Sequence, residues 1–206
     1  MSSNYRVPVG LLSQSEEVKK SRFLTYLRHV SGKEAVREWL VAMRHEHPAA
    51  RHLCWACVAA APWDSQSYGF CDDGEPSGTA GKPLLNLLLG SGLGEIAIVV
   101  VRYYGGIKLG TGGLVRAYSY GASELLSSVA TRLVVASQPF SLCCSYEELP
   151  LCQWLMEQFV CESVAYSYEE QVCVTGLCPL TVQEDFILAV RNRSHGRIRV
   201  SWFEDK

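Results

Sequence analysis

The strongest hydrophobic signal lies at residues 95–104, EIAIVVVRYY, an almost unbroken β-branched and aromatic run. Such a run predicts a strand buried on both faces rather than one half in water. Five glycines follow within nine residues (Gly105, Gly106, Gly110, Gly112 and Gly113). Apolar positions then recur at helical spacing at Leu114, Ala117, Tyr118, Gly121, Leu125 and Val129, so a helix is expected from the last glycines to about Ser137. Upstream, the first dozen residues read as a loose or edge segment. Residues 15–30 alternate as one strand, with Phe23, Thr25 and Leu27 on one side. Ser31-Gly-Lys-Glu34 has the form of a capping box. It opens a helix whose stripe is Val36, Trp39, Leu40 and Met43 and which His47-Pro48 stops. Strands are expected at 50–61 and 65–71, with Asp73-Gly74 as a turn. Thr79 is the expected cap of a short leucine-rich helix ending near Gly90-Ser-Gly92.

After Gln138-Pro139 the pattern restarts as βαββαβ. Strands are expected at 140–146, 161–168, 171–177 and 197–203. Pro150 suits the first turn of the intervening helix, and Thr181-x-x-Glu184 is expected to cap the second. This half has the element order and length of a ferredoxin-like unit. The fold class is therefore α+β with two domains, 1–137 and 138–206.

Composition adds constraints. The chain has 206 residues, 48% of them hydrophobic and 19% charged, enough apolar material for a packed core. No apolar run is long enough to span a membrane. The start has no basic region leading into an apolar one, so a cytoplasmic location is expected. The net charge of −2 conceals an asymmetry. Residues 1–137 carry 14 Lys+Arg against 11 Asp+Glu, and residues 138–206 carry 5 against 10. A strongly basic nucleic-acid binder is excluded; RNA would have to meet a local patch on the first domain. The nine cysteines include one CxxC, Cys54-Trp-Ala-Cys57, in an apolar strand-like run without turn residues. They read as small buried hydrophobes, and neither a metal nor a disulfide is expected of them.

The glycine stretch is where chemistry is expected. Its last glycines open a helix whose free N–H groups and dipole attract an anion. A tight strand-to-helix connection would use the same glycines purely for packing, and both readings stand at this level. The Walker pattern fails, since Thr111 and Gly112 stand where Lys and Ser or Thr belong. The dinucleotide fingerprint fails at Val115.

Three motifs in order, KKSRF at 19–23, DDGEPSGTAGKP at 72–83 and RYYGGIKLGTGGL at 102–114, closely resemble the YigZ/Impact family of translation-associated proteins. The resemblance covers 15 to about 137. It implies a ribosomal-protein-S5-domain-2-like N-terminal domain followed by a ferredoxin-like one. Its eukaryotic members imply control of translation initiation under stress through a regulatory protein partner.

The candidate phosphate- or nucleic-acid-binding set is Arg22, Lys82, Arg102, Lys108, Gly110, Gly112, Gly113 and Arg116. Lys82 and Lys108 sit at expected helix starts, where a cation is disfavoured by the dipole unless an anion visits. Arg116 and Tyr120 share the polar face of the long helix and suit phosphate contact and base stacking. A competing role for Arg102 is to pair Asp72 or Glu75. Asp72, Asp73 and Glu75 could together hold Mg²⁺ for an enzyme acting on a small phosphorylated substrate; the plainer reading is a solvated turn. His45-Glu46-His47 is not HExxH, because position 49 is Ala. These histidines are expected to favour the helix C-terminus, and His52 has no assigned role. No nucleophile, general acid or base can be named. The expected function is a non-catalytic module contacting RNA or the ribosome, with no cofactor and no membrane partner.

Overall fold

The structure, a computed structural model, describes residues 4–203. It is mixed α+β, with five α-helices and three sheets among the described residues. Contacts divide the chain into a unit at Tyr5–Val134 and a second formed from residue 135 onward together with Asn4.

The first unit runs β1 (Tyr5–Pro8), β2 (Leu11–Val18), β3 (Ser21–His29), α1 (Gly32–Glu46), β4 (His52–Val58), β5 (Tyr68–Cys71), α2 (Gly81–Ser91), β6 (Ile96–Tyr103), α3 (Thr111–Ser128) and β7 (Thr131–Val134). Its main sheet is antiparallel in the order β2-β3-β6-β4-β5. The apolar run thus forms the central strand, buried on both faces as its composition predicts. Its alternate residues Ile96, Ile98 and Val100 pack with Leu84, Leu88, Leu114 and Tyr118 of α2 and α3. Ala97, Val99 and Val101 pack with Val36, Trp39 and Met43 of α1. Gly121 lets α3 lie close on β3, for a Cβ there would stand 2.4 Å from Thr25 Oγ1.

Several local expectations need correction. Residues 15–30 are not one strand. The chain reverses at Lys19 and Lys20, both at positive φ (47° and 64°), and β2 pairs with β3 down to Val18 and Ser21. The usual hairpin signals, Asn-Gly or Gly-containing pairs, are missing, so the turn leaves no mark in the local pattern. The first dozen residues include β1, and α3 stops at Ser128 rather than near Ser137. The β-branched residues that follow form β7, which pairs with β1 across more than 120 residues of chain. Ser31 precedes α1 without its side chain capping it, and Glu34 pairs instead with Arg37 at 2.9 Å. Thr79 is not the cap of α2 and Thr181 is not the cap of the last helix. His47 does not sit free at the helix end: it is buried, its ring nitrogens 3.0 and 2.9 Å from the hydroxyls of Tyr26 and Tyr103.

The second unit comprises β8 (Ser137–Cys144), α4 (Leu149–Gln158), β9 (Glu162–Tyr168), β10 (Val172–Pro179), α5 (Gln183–Arg193) and β11 (Val200–Trp202). Its four-stranded antiparallel sheet has the order β11-β8-β10-β9. Phe140, Leu142, Leu155, Val174 and Phe186 fill its core. Pro150 stands in the first turn of α4, where its missing N–H costs nothing. All nine cysteines are free thiols. Burial pushes Cys57 up to about 11 and Cys152, with Cys144 beside it, up to about 12. Such thiols stay protonated and unreactive.

Candidate functional site

The face of β6 that packs Ile96, Ile98 and Val100 continues to Arg102 as the strand leaves the core. Register places Phe23 of β3 on one side of Arg102 and His52 of β4 on the other. The guanidinium lies 5.4 Å from the Phe23 ring and 5.4 Å from that of Tyr104. Its Nη1 donates to Glu75 Oε1 at 2.6 Å, and its Nη2 donates to Ser21 Oγ at 3.3 Å. The two charged side chains are only 5% and 4% exposed. Tyr118 on α3 donates to the same Oε1 at 2.8 Å. Burial, with the nearby Cys54 and Glu75, holds the Tyr118 hydroxyl well above its ordinary pKa, so it remains a donor. His52 Nδ1 donates to the Asp73 carbonyl at 2.9 Å, and Nε2 stands 4.0 Å from Glu75 Oε1.

The acidic loop therefore divides its carboxylates among three tasks. Asp72 is the cap of α2: its Oδ1 accepts from the amides of Ala80 (3.0 Å) and Gly81 (2.8 Å), and its Oδ2 from Gly78 (2.9 Å). Asp73 Oδ2 accepts from the Leu53 amide at 2.6 Å and from Arg44 at 2.7 Å. Glu75 turns inward to Arg102. The Mg²⁺ reading of this loop loses its ligands to these bonds. Among the described residues no group of three or more His, Cys, Asp or Glu side chains is placed to hold a metal ion.

Above the buried pair lies a cleft of about 420 Å³. Arg51, His52, Pro76, Tyr104, Lys108, Leu109 and the start of α3 at Gly110 and Thr111 line it. Gly110 takes φ 75° to turn into the helix, and no side chain caps the α3 start. Leu109 also lines a second cleft, of about 600 Å³. Lys19, Glu16, Gly113, Arg116 and Tyr120 line it. Arg116 Nε donates to the Gly112 carbonyl at 3.2 Å one turn back.

The eight residues singled out from sequence are thus dispersed. Arg102, Lys108 and Gly110 line the first cleft; Gly113 and Arg116 line the second. Gly112 is exposed in the first turn of α3 and lines neither. Arg102 is held by Glu75, the competing role noted above. Arg22 packs its guanidinium over Tyr103 at 4.8 Å. Register pairs these two on the α1 face of the sheet, away from Arg102. Lys82 is exposed on α2 and lines neither cleft. Arg51 and His52 join the site without having been assigned to it. Their only sequence signal is their place at the start of a strand, which does not say what that strand end faces.

Residues 19–126, just over half of the chain, match the family model of the Impact N-terminal domain. The chain belongs to the IMPACT family. An IMPACT family member from Haemophilus influenzae is 45% identical over 203 residues, covering 98% of each chain. IMPACT family member YigZ from Escherichia coli is 42% identical over 202 residues, 98% of this chain and 99% of that one. IMPACT family member YvyE from Bacillus subtilis aligns over 112 residues at 43% identity, 54% of this chain and 51% of its own. A crystal structure described only as that of a hypothetical protein is 42% identical, covers all of both chains and superposes with a TM-score of 0.76. IMPACT family likeness thus extends over nearly the whole chain. No described helix is long and apolar enough to cross a membrane.

Proposed function

We propose that the chain is a non-catalytic cytosolic binding protein acting in translation or its regulation, and that its first unit engages RNA phosphate at the start of α3. The observation that carries this reading is the contrast between two helix starts. The first amides of α2 are served by the Asp72 carboxylate. Those of α3 receive no side-chain cap, open beside Lys108 and Arg51, and are crossed by glycines with free space around Gly110 and Gly112. Uncapped amides at the positive end of an 18-residue helix, with two exposed cations beside them, suit a phosphate group. Arg116, Lys19 and Tyr120 extend the same surface, supplying further phosphate contacts and a ring for a base.

The fold assignments made from sequence belong to this reading. The strand order of the second unit, with its first strand between its fourth and third, supports a ferredoxin-like unit. The first unit is assigned as S5-domain-2-like by family resemblance. Such a pair of units resembles the C-terminal end of translocating elongation factors, an analogy of fold that supports the ribosome as the place of action.

Binding of a single-stranded RNA oligonucleotide, followed across salt concentration, tests the reading. Two or three neutralised phosphates predict that log affinity falls against log salt with a slope of about −1.4 to −2.1, at roughly 0.7 for each phosphate. An affinity that does not change with salt would remove phosphate contact from the account.

A further inference from the structure

Glu75 holds Arg102 and Tyr118 through one oxygen and leaves the other free. All of its contacts fall on Oε1, which takes Arg102, Tyr118 and the approach of His52. Oε2 has no hydrogen-bond partner among the described residues, although the side chain is 4% exposed and lines the first cleft. A carboxylate oxygen open to a cleft accepts from water or from a ligand that enters it. A fully ionised phosphomonoester cannot supply a donor; a hydroxyl can. The Arg102 side is also incomplete, since its buried Nε has no partner.

The rest of the cleft sets the other half of the ligand. Arg51, Lys108 and Arg102 face one carboxylate, which leaves two cations in excess beside the α3 amides. That balance suits the two charges of a phosphomonoester better than the single charge of an internal phosphodiester. The buried ion pair lines the cleft, and a volume of about 420 Å³ fits a small ligand. Tyr104, 42% exposed on the wall, offers a ring face to a base.

We propose that the first cleft binds a 5′-terminal ribonucleotide, its phosphomonoester at the α3 start and its ribose hydroxyl donating to Glu75. This rests on the phosphate-binding reading above and narrows it. The same chemistry is carried by a free nucleoside monophosphate and by the 5′ end of an RNA chain. Only the chain would continue past Leu109 into the second cleft, where Lys19 and Arg116 can meet its next phosphates.

The test compares a short RNA bearing a 5′-phosphate with the same RNA bearing a 5′-hydroxyl, with the 5′-phosphorylated RNA made 2′-deoxy at its first nucleotide, with AMP and with inorganic phosphate. The 5′-phosphate is expected to tighten binding at least tenfold, and the terminal 2′-deoxy change to lose severalfold. Glu75→Gln should erase that 2′ discrimination. Arg51→Ala/Lys108→Ala, both on the surface, should erase the preference for 5′-phosphate even if Glu75→Gln does not fold. AMP binding as tightly as the RNA would assign the free nucleotide as the source. Equal affinity for 5′-phosphate and 5′-hydroxyl RNA overturns the inference, and if both remain salt-sensitive the broader phosphate reading survives. Inorganic phosphate matching AMP would remove the ribose from the proposal. Failure of every RNA to bind at low salt removes both readings.

Discussion

Replacing Gly105 with alanine is expected to destabilise the first unit by at least about 3 kcal/mol, enough to leave much of it unfolded. A Cβ at this position would stand 1.9 Å from the Lys20 carbonyl oxygen, 2.0 Å from its carbon and 2.5 Å from the Ser21 nitrogen. All three are backbone atoms of the β2–β3 turn, so no side-chain rotamer can relieve the clash. Either the glycine loop or the turn must move, which also breaks the bond from the Gly105 amide to Ser21 Oγ at 3.2 Å. Ser21 in turn receives Arg102, so the disturbance reaches the buried pair. Gly112→Ala is the matched control: it has free space and a helical position. It should leave stability unchanged or raise it by up to about 1 kcal/mol. Urea unfolding of the two variants separates a glycine required by packing from one that packing does not require. Equal costs would contradict the close approach.

Breaking the Glu75–Arg102 pair is the second large effect. Arg102→Met leaves a carboxylate that is 4% exposed without its cation, and Glu75→Gln leaves the guanidinium without its anion. Each is expected to cost about 3 to 5 kcal/mol, dominated by the uncompensated buried charge. The double variant should cost clearly less than the two single losses together, because neither charge is then stranded. Additive losses in urea unfolding would mean that the two side chains act independently, against the 2.6 Å contact between them. The pair also ties three elements together: Glu75 follows β5, Arg102 is the last but one residue of β6, and Tyr118 reaches the same oxygen from α3. Both side chains line the cleft above them.

These two residues show where the sequence could be read and where it could not. The central strand was legible because seven consecutive buried positions from Ile96 to Arg102 need an apolar run, which Arg102 alone interrupts. The start of α3 was legible because a left-handed residue and open amides call for glycine at Gly110. The Lys19–Lys20 turn was not, since lysine carries no turn signal and the conformation is imposed by pairing on both sides. Nor was β7, whose partner β1 lies at the other end of the unit and leaves no local trace. The lining of the candidate cleft was half legible for the same reason. Lys108 and Gly110 adjoin the glycines in the chain, whereas Arg51, His52 and Glu75 arrive through sheet register and the loop after β5. Arg22 and Lys82 looked equally suitable as cations, but β3 alternation and the α2 surface carry them elsewhere. Charge type is visible in a sequence; the face it occupies is set by pairing.

The central claim, that the glycine-rich start of α3 carries the protein to RNA, is met most directly by co-sedimentation with ribosomes at low and high salt. Wild type would be compared with Lys108→Glu/Arg116→Glu, after thermal unfolding has shown that the variant is folded. The account predicts that wild type pellets at low salt, is released at high salt, and that the variant stays in the supernatant throughout. Wild type remaining in the supernatant at low salt, or a folded variant that pellets as well as wild type, would contradict it.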